Sequence, residues 1–160
     1  MSRVYLDTNF LFGLVRQDER VRNSAFSVWR ERVDAETRSD PLVVSALVVD
    51  ELAYRLVLAW LRDSGDNQPL TTFRQSPATV MKRMRPRLAK LWNALDAIDL
   101  DIAASDLLSI RHAQSLMSDP GLAPRDAFHA AYAIDSRCAW IVSSDREFDR
   151  VRRLSRLGPD

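Results

Sequence analysis

The chain has 160 residues, 46 % of them apolar and 28 % charged, with a formal net charge of +1. That length suits one domain with its own core, and the near balance of charge provides no overall field to attract nucleic acid. A single cysteine, Cys138, excludes an internal disulfide framework or a thiolate zinc site, and no apolar run approaches the roughly 18 residues of a membrane span.

Met1-Ser2-Arg3 leads into a strand-like run without a signal-peptide pattern, so the expected location is the cytoplasm. "VYL" (4–6) reads as the first strand, and "FLFGLV" follows as the start of a helix. A second helix is expected over 21–36, with Val21, Ala25, Val28 and Trp29 on one face. "PLVVS" (41–45) is the second strand and 46–64 a long helix that Ser45 can cap. The polar, turn-rich stretch 62–77 reads as a mobile loop. In 78–96, Met81, Met84, Leu88, Leu91, Trp92 and Leu95 recur at helical spacing, with Lys82, Arg83, Arg85, Arg87 and Lys90 between them. Pro86 should kink or split that helix. "AIDL" (97–100) is the third strand, followed by a helix over 102–117 that Asp101 can cap. Residues 124–136 form another helix, with Pro124 in its first turn. "AWIVSS" (139–144) is the fourth strand. The alternation predicts an α/β fold, a central parallel sheet of four to five strands with helices on both faces. The reading is of one domain over 1–160, carrying a loop-helix insertion at about 62–96.

Right-handed crossovers bring the carboxyl ends of parallel strands to one edge, where ligands collect. Asp7 follows the first strand and Asp145 the fourth. Asp126 sits in the first turn of the helix that starts at Pro124. Glu51 lies six residues past Ser45 on the helix leaving the second strand. Each has an ordinary explanation: Asp7 and Asp145 as helix caps, Glu51 as a surface partner of Arg55, Asp126 as a helix-start acid. Together they place four carboxylates at one edge, where like charge raises their pKa values unless a cation compensates. A hard divalent ion such as Mg²⁺ or Mn²⁺ prefers oxygen ligands. His112 and His129, the two histidines, have no second histidine at zinc-ligand spacing. Hydrolysis of a phosphodiester, leaving a 5′-phosphate and a 3′-hydroxyl, is the chemistry such a site serves best.

The segments "YLDTNFL", "SALVVDEL", "PRDAFHAAYA" and "IVSSDREFDRV", in this order, resemble the PIN-domain family, and within it the VapC-type ribonuclease toxins. The resemblance spans Val4 to about Val151. It implies a PIN-like fold, Asp7, Glu51, Asp126 and Asp145 as metal-binding acids, and Asn9 and Ser144 as supporting polar residues. Asp50 directly precedes Glu51, so a shift of one residue would exchange the two; the family pattern favours Glu51. His129 reads as a packed or supporting residue rather than a ligand. The resemblance further implies a Mg²⁺- or Mn²⁺-dependent endoribonuclease acting on structured RNA such as tRNA or rRNA. It implies a homodimer, and a VapB-type antitoxin whose C-terminal segment lies across the toxin. The tail arginines, Arg150, Arg152, Arg153 and Arg156, fit phosphate contacts or a solvated face equally. Two competing readings remain: a non-catalytic PIN-like binding module, and a haloacid dehalogenase-type phosphatase using Asp99 and Asp101.

Overall fold

A computed structural model describes residues 3–20, 23–38 and 40–160. Five parallel strands, β1 (Arg3–Leu6), β2 (Leu42–Ser45), β3 (Leu100–Ala103), β4 (Cys138–Val142) and β5 (Ser155–Arg156), stand in the order β3-β2-β1-β4-β5. The central strands are apolar because both of their faces are covered: Val4, Tyr5, Val43 and Ile141 are fully buried. The chain steps outward from β1 to β2 to β3, then returns past β1 to β4. The direction therefore reverses between β1 and β4, which is where open α/β sheets form a ligand crevice.

Helices α1 (Thr8–Asp18) and α2 (Ser24–Thr37) follow β1. Helix α3 (Ala46–Asp63) follows β2, capped by Ser45, whose hydroxyl accepts from Val48 N. Helices α4 (Pro69–Gln75) and α5 (Pro77–Asp96) precede β3. Helices α6 (Leu107–Ser118) and α7 (Pro124–Asp135) connect β3 to β4. Phe10, Phe26 and Trp29 meet with ring centroids 5.0–5.9 Å apart and join α1 to α2. Cys138 is a buried core residue, and burial pushes its thiol up to about 12.

Several expectations from the sequence give way to tertiary structure. The face α2 buries is Phe26, Trp29 and Val33; Val28 is 65 % exposed, Ala25 is exposed, and Val21 lies outside the described residues. The loop expected over 62–77 is largely helical: α3 runs to Asp63, and Pro69 opens α4. Phe73 on α4 stacks edge-on against Tyr54 of α3 at 5.6 Å, an apolar anchor that polar composition masked. Pro86 does not split α5, which runs through it. It lies on the exposed side, where water can satisfy the carbonyl that a proline leaves unpaired. Along α5 the buried set is Val80, Met84, Leu88 and Leu91, whereas Met81 and Trp92 are exposed. Strand β3 begins at Leu100 rather than ending there, and α6 starts five residues later than expected. The third strand is an edge strand with Asp101 and Ile102 exposed, so it lacks the apolar signature of the others. Its helix is capped by Asp106, which accepts from Ser109 N at 2.9 Å, and not by Asp101.

Candidate metal centre

The crevice is built from strand ends and helix starts. Asp7 leaves β1 in an extended conformation and caps α1, accepting from Thr8 N at 2.6 Å. Capping and site-building thus use the same side chain. Its other oxygen accepts from Asn9 Nδ2 at 2.8 Å and from the Ser143 hydroxyl at 2.6 Å. Ser143 Oγ also accepts from Asp145 N at 3.0 Å, and Asn9 Oδ1 from Ser144 N at 3.3 Å. Asn9 and Ser143 therefore tie the end of β1 to the end of β4. Ser143, fully buried, is the hydroxyl that touches the acid, whereas Ser144 is exposed and contributes its backbone N–H. Which of two adjacent serines turns inward depends on the pleat, and the sequence "SSD" does not contain that information.

Glu51 enters from α3. Its Oε2 accepts from the Thr8 hydroxyl at 2.7 Å, and Arg125 Nε stands 2.6 Å from Oε1. Arg125 takes the place expected for Arg55, whose guanidinium lies instead over the Phe12 ring at 4.7 Å. Burial raises the Glu51 carboxyl, but His129, Thr8 and Arg125 more than offset it and hold it below its ordinary value. Asp50 is exposed.

Helix α7 brings two residues one turn apart. Asp126 is half-buried, and its carboxyl is raised by burial and then by the charges of Asp145 and Asp7, with His129 opposing. His129 is 2 % exposed; its Nε2 lies 3.3 Å from Glu51 Oε2 and 4.0 Å from Asp7 Oδ1, out of hydrogen-bond alignment with either. Asp145 lies past the end of β4 and caps the 3-10 turn Arg146–Arg150, accepting from Glu147 N at 2.9 Å.

Of the four acids expected from the sequence, the structure brings Asp7 and Glu51 into one close group, and it is His129 rather than Asp126 or Asp145 that joins them. One donor atom each from Asp7, Glu51 and His129 lies within 4.8 Å of the others, and Asp126 and Asp145 adjoin through the charge effects just described. Buried carboxylate oxygen with an unsatisfied imidazole nitrogen beside it is a donor set that fits a divalent cation. Asp99 and Asp101 do not belong here. Asp99 precedes β3 at its amino end, and Asp101 is an exposed edge residue paired with Arg3, so the phosphatase reading falls. Of the tail arginines, Arg150 pairs with Glu147 and Arg156 with Asp149 and Asp160, while Arg152 and Arg153 are exposed.

Outside the crevice, charge is segregated. Residues 67–95 hold six of the chain's 23 basic residues and none of its 22 acids, which leaves the remainder net negative. All six, Arg74, Lys82, Arg83, Arg85, Arg87 and Lys90, are exposed on α4 and α5.

A family model described as the PIN domain matches residues 4–154. No curated protein matches the chain. Among solved structures, VapBC2 from Rickettsia felis bound to a DNA fragment from its promoter is similar at 14 % identity, with 96 % of each chain covered and a TM-score of 0.57. A toxin–antitoxin complex from Klebsiella pneumoniae is similar at 15 % identity, with 99 % of this chain and 98 % of that one covered and a TM-score of 0.53. At such identities the likeness is one of fold.

Proposed function

The chain belongs to the PIN domain family, and from that premise we propose that it is a metal-dependent endoribonuclease of the VapC toxin type, held inactive by a VapB-type antitoxin. The observation that supports this reading is the meeting of Asp7 and Glu51 where the sheet reverses direction, with Asp126 close enough to feel the charges of Asp145 and Asp7. Four acids from four separate segments, two of them depending on the β1–β4 clip, are more than helix capping requires.

Asp7, Glu51, Asp126 and Asp145 would hold Mg²⁺ or Mn²⁺, which when bound offsets their repulsion and polarises both the phosphodiester and the water attacking it. Asn9, Ser143 and the Thr8 amide fix both oxygens of Asp7, so its carboxylate needs no reorganisation during the reaction. Asp126 is half-buried beside the charges of Asp145 and Asp7, so its carboxylate is one whose ionised form a bound cation would stabilise. The Arg125 side chain is 68 % exposed beside Glu51 and can meet a phosphate at the mouth of the crevice. The basic α4–α5 arm would bind RNA backbone without reading its sequence.

The partner follows the same reading. The similar structures are a VapBC complex and a toxin–antitoxin complex, which supports an antitoxin for this chain. Structured RNA such as tRNA or rRNA as substrate, and a homodimer as the working unit, complete the proposal. No described helix is long and apolar enough to cross a membrane. The test is cleavage of a structured RNA pool by the antitoxin-free protein with Mg²⁺ or Mn²⁺. Cleavage should stop with EDTA and in Asp7→Asn; activity that survives both would end the nuclease reading. A binding module would show no cleavage under any of these conditions.

A further inference from the structure

We propose that His129 Nε2 is itself a ligand of the cation, making the centre a mixed nitrogen–oxygen site that takes Mn²⁺ in preference to Mg²⁺. This rests on the reading above, that a divalent ion occupies the crevice, and goes beyond it in naming a fifth donor and the ion selected.

Three features of the fold lead there. First, Nε2 is buried and makes no hydrogen bond, yet it faces two carboxylates at ion-pair distances of 3.3 and 4.0 Å. A buried polar atom left unsatisfied forfeits its hydration without compensation, so such an atom generally has a partner in the functional state. Second, the other ring nitrogen is already engaged. Nδ1 lies 2.9 Å from the Tyr5 hydroxyl, which lies 2.7 Å from Ser45 Oγ, and all three side chains are buried. Metal-bound histidines almost always use the second nitrogen in this way, which fixes the ring and its tautomer. When Nδ1–H donates to the Tyr5 oxygen and Tyr5 O–H donates to Ser45 Oγ, Nε2 carries a lone pair directed at the crevice. Third, His129 follows Asp126 by one turn of α7, so the helix directs both toward the same crevice.

The donor set then selects the ion. Mg²⁺ favours oxygen ligands throughout and gives up water reluctantly, whereas imidazole nitrogen suits transition metals better. Carboxylates alone would not distinguish the two ions in this way; carboxylates with an imidazole do.

The experiment uses the full chain, free of antitoxin, and Mn²⁺ alone as probe. Pulsed electron paramagnetic resonance of the bound ion should show coupling to a directly ligated ¹⁴N. That coupling should vanish in His129→Gln, and Mn²⁺ affinity should fall by about tenfold or more while Mg²⁺ affinity changes little. Tyr5→Phe should retain the nitrogen coupling but weaken Mn²⁺ binding about 10–100-fold, as expected for loss of a group that orients a ligand. Bound Mn²⁺ without ¹⁴N coupling, or equal losses for both ions in His129→Gln, would overturn the proposal and leave the nuclease reading standing. Uptake of neither ion would remove both. The wild-type spectrum decides the question even if a variant fails to fold.

Discussion

The crevice and the α4–α5 arm carry opposite charge and are constructed in opposite ways. In the crevice the acids come from four separate segments, and three of them are held: Asp7 by three donors, Glu51 by Thr8 and Arg125, Asp145 by its cap. On the arm the bases lie in one stretch, and all are exposed to water. Of these, Arg87 is the one seen over an aromatic ring, Trp60 at 5.6 Å. Charge that is fixed and partly desolvated can act at a defined atom, whereas solvated charge adds attraction without geometry. On the proposed function, the first region carries out the chemistry and the second captures RNA.

The strongest way to break this division is Asp7→Asn. Cleavage should fall by well over 100-fold, since even the outer partners of metal ligands cost about 10–100-fold when removed. Circular dichroism should show the fold retained, because relief of repulsion among the acids offsets the weakened hydrogen bonds; an unfolded variant would return Asp7 to a purely structural role. Next in size is Ser143→Ala. It removes the hydroxyl shared by Asp7 and the Asp145 amide, and activity should drop about 10–100-fold. Ser144→Ala should change activity far less, because Ser144 contributes its amide. Equal losses in the two variants would mean that the β1–β4 clip does not position Asp7.

The arm is tested by salt. Replacing Arg83 and Arg85 together by Ala should weaken RNA binding and lower the slope of log affinity against log salt by roughly 0.7–0.9 for each phosphate no longer neutralised. An unchanged slope would detach the arm from RNA. The smallest effect concerns pH. The Asp126 carboxyl is raised in the folded chain, so the unfolded chain ionises it first. Metal-free protein should therefore lose stability as pH rises from the unfolded carboxyl value through the folded one, with no further loss above it. Thermal melts of Asp126→Asn should lack that share of the slope, and an identical slope in both proteins would show that the carboxyl is not perturbed.

Much of the architecture can be read from residue patterns because each pattern reports its own physics. Short apolar runs separated by helical periodicity mean parallel strands with crossovers, and an acid just after such a run lies at the sheet's carboxyl edge. Asp7 and Asp145 are placed by that pattern, whereas Glu51 and Asp126 are placed by the helices that carry them. Strand β3 escapes the pattern because an edge strand tolerates Asp101 and exposes Ile102, which removes the apolar signal. The buried face of α2 differs from its local pattern because Phe26 and Trp29 are drawn to Phe10 on the preceding helix. Helix α4 resembles a loop in sequence because its anchor, Phe73 on Tyr54, joins residues from two helices.

From its sequence alone this protein had its fold class and the order of most of its elements, since local periodicity and chain order determine those. Tertiary structure alone decided that Ser143 rather than Ser144 grips Asp7, that Arg125 rather than Arg55 meets Glu51, and that His129 presents an unpartnered nitrogen to the acids. The reason is that such choices depend on pleat, helix rotation and burial, which arise only when segments far apart in the chain are brought within a few ångström of one another.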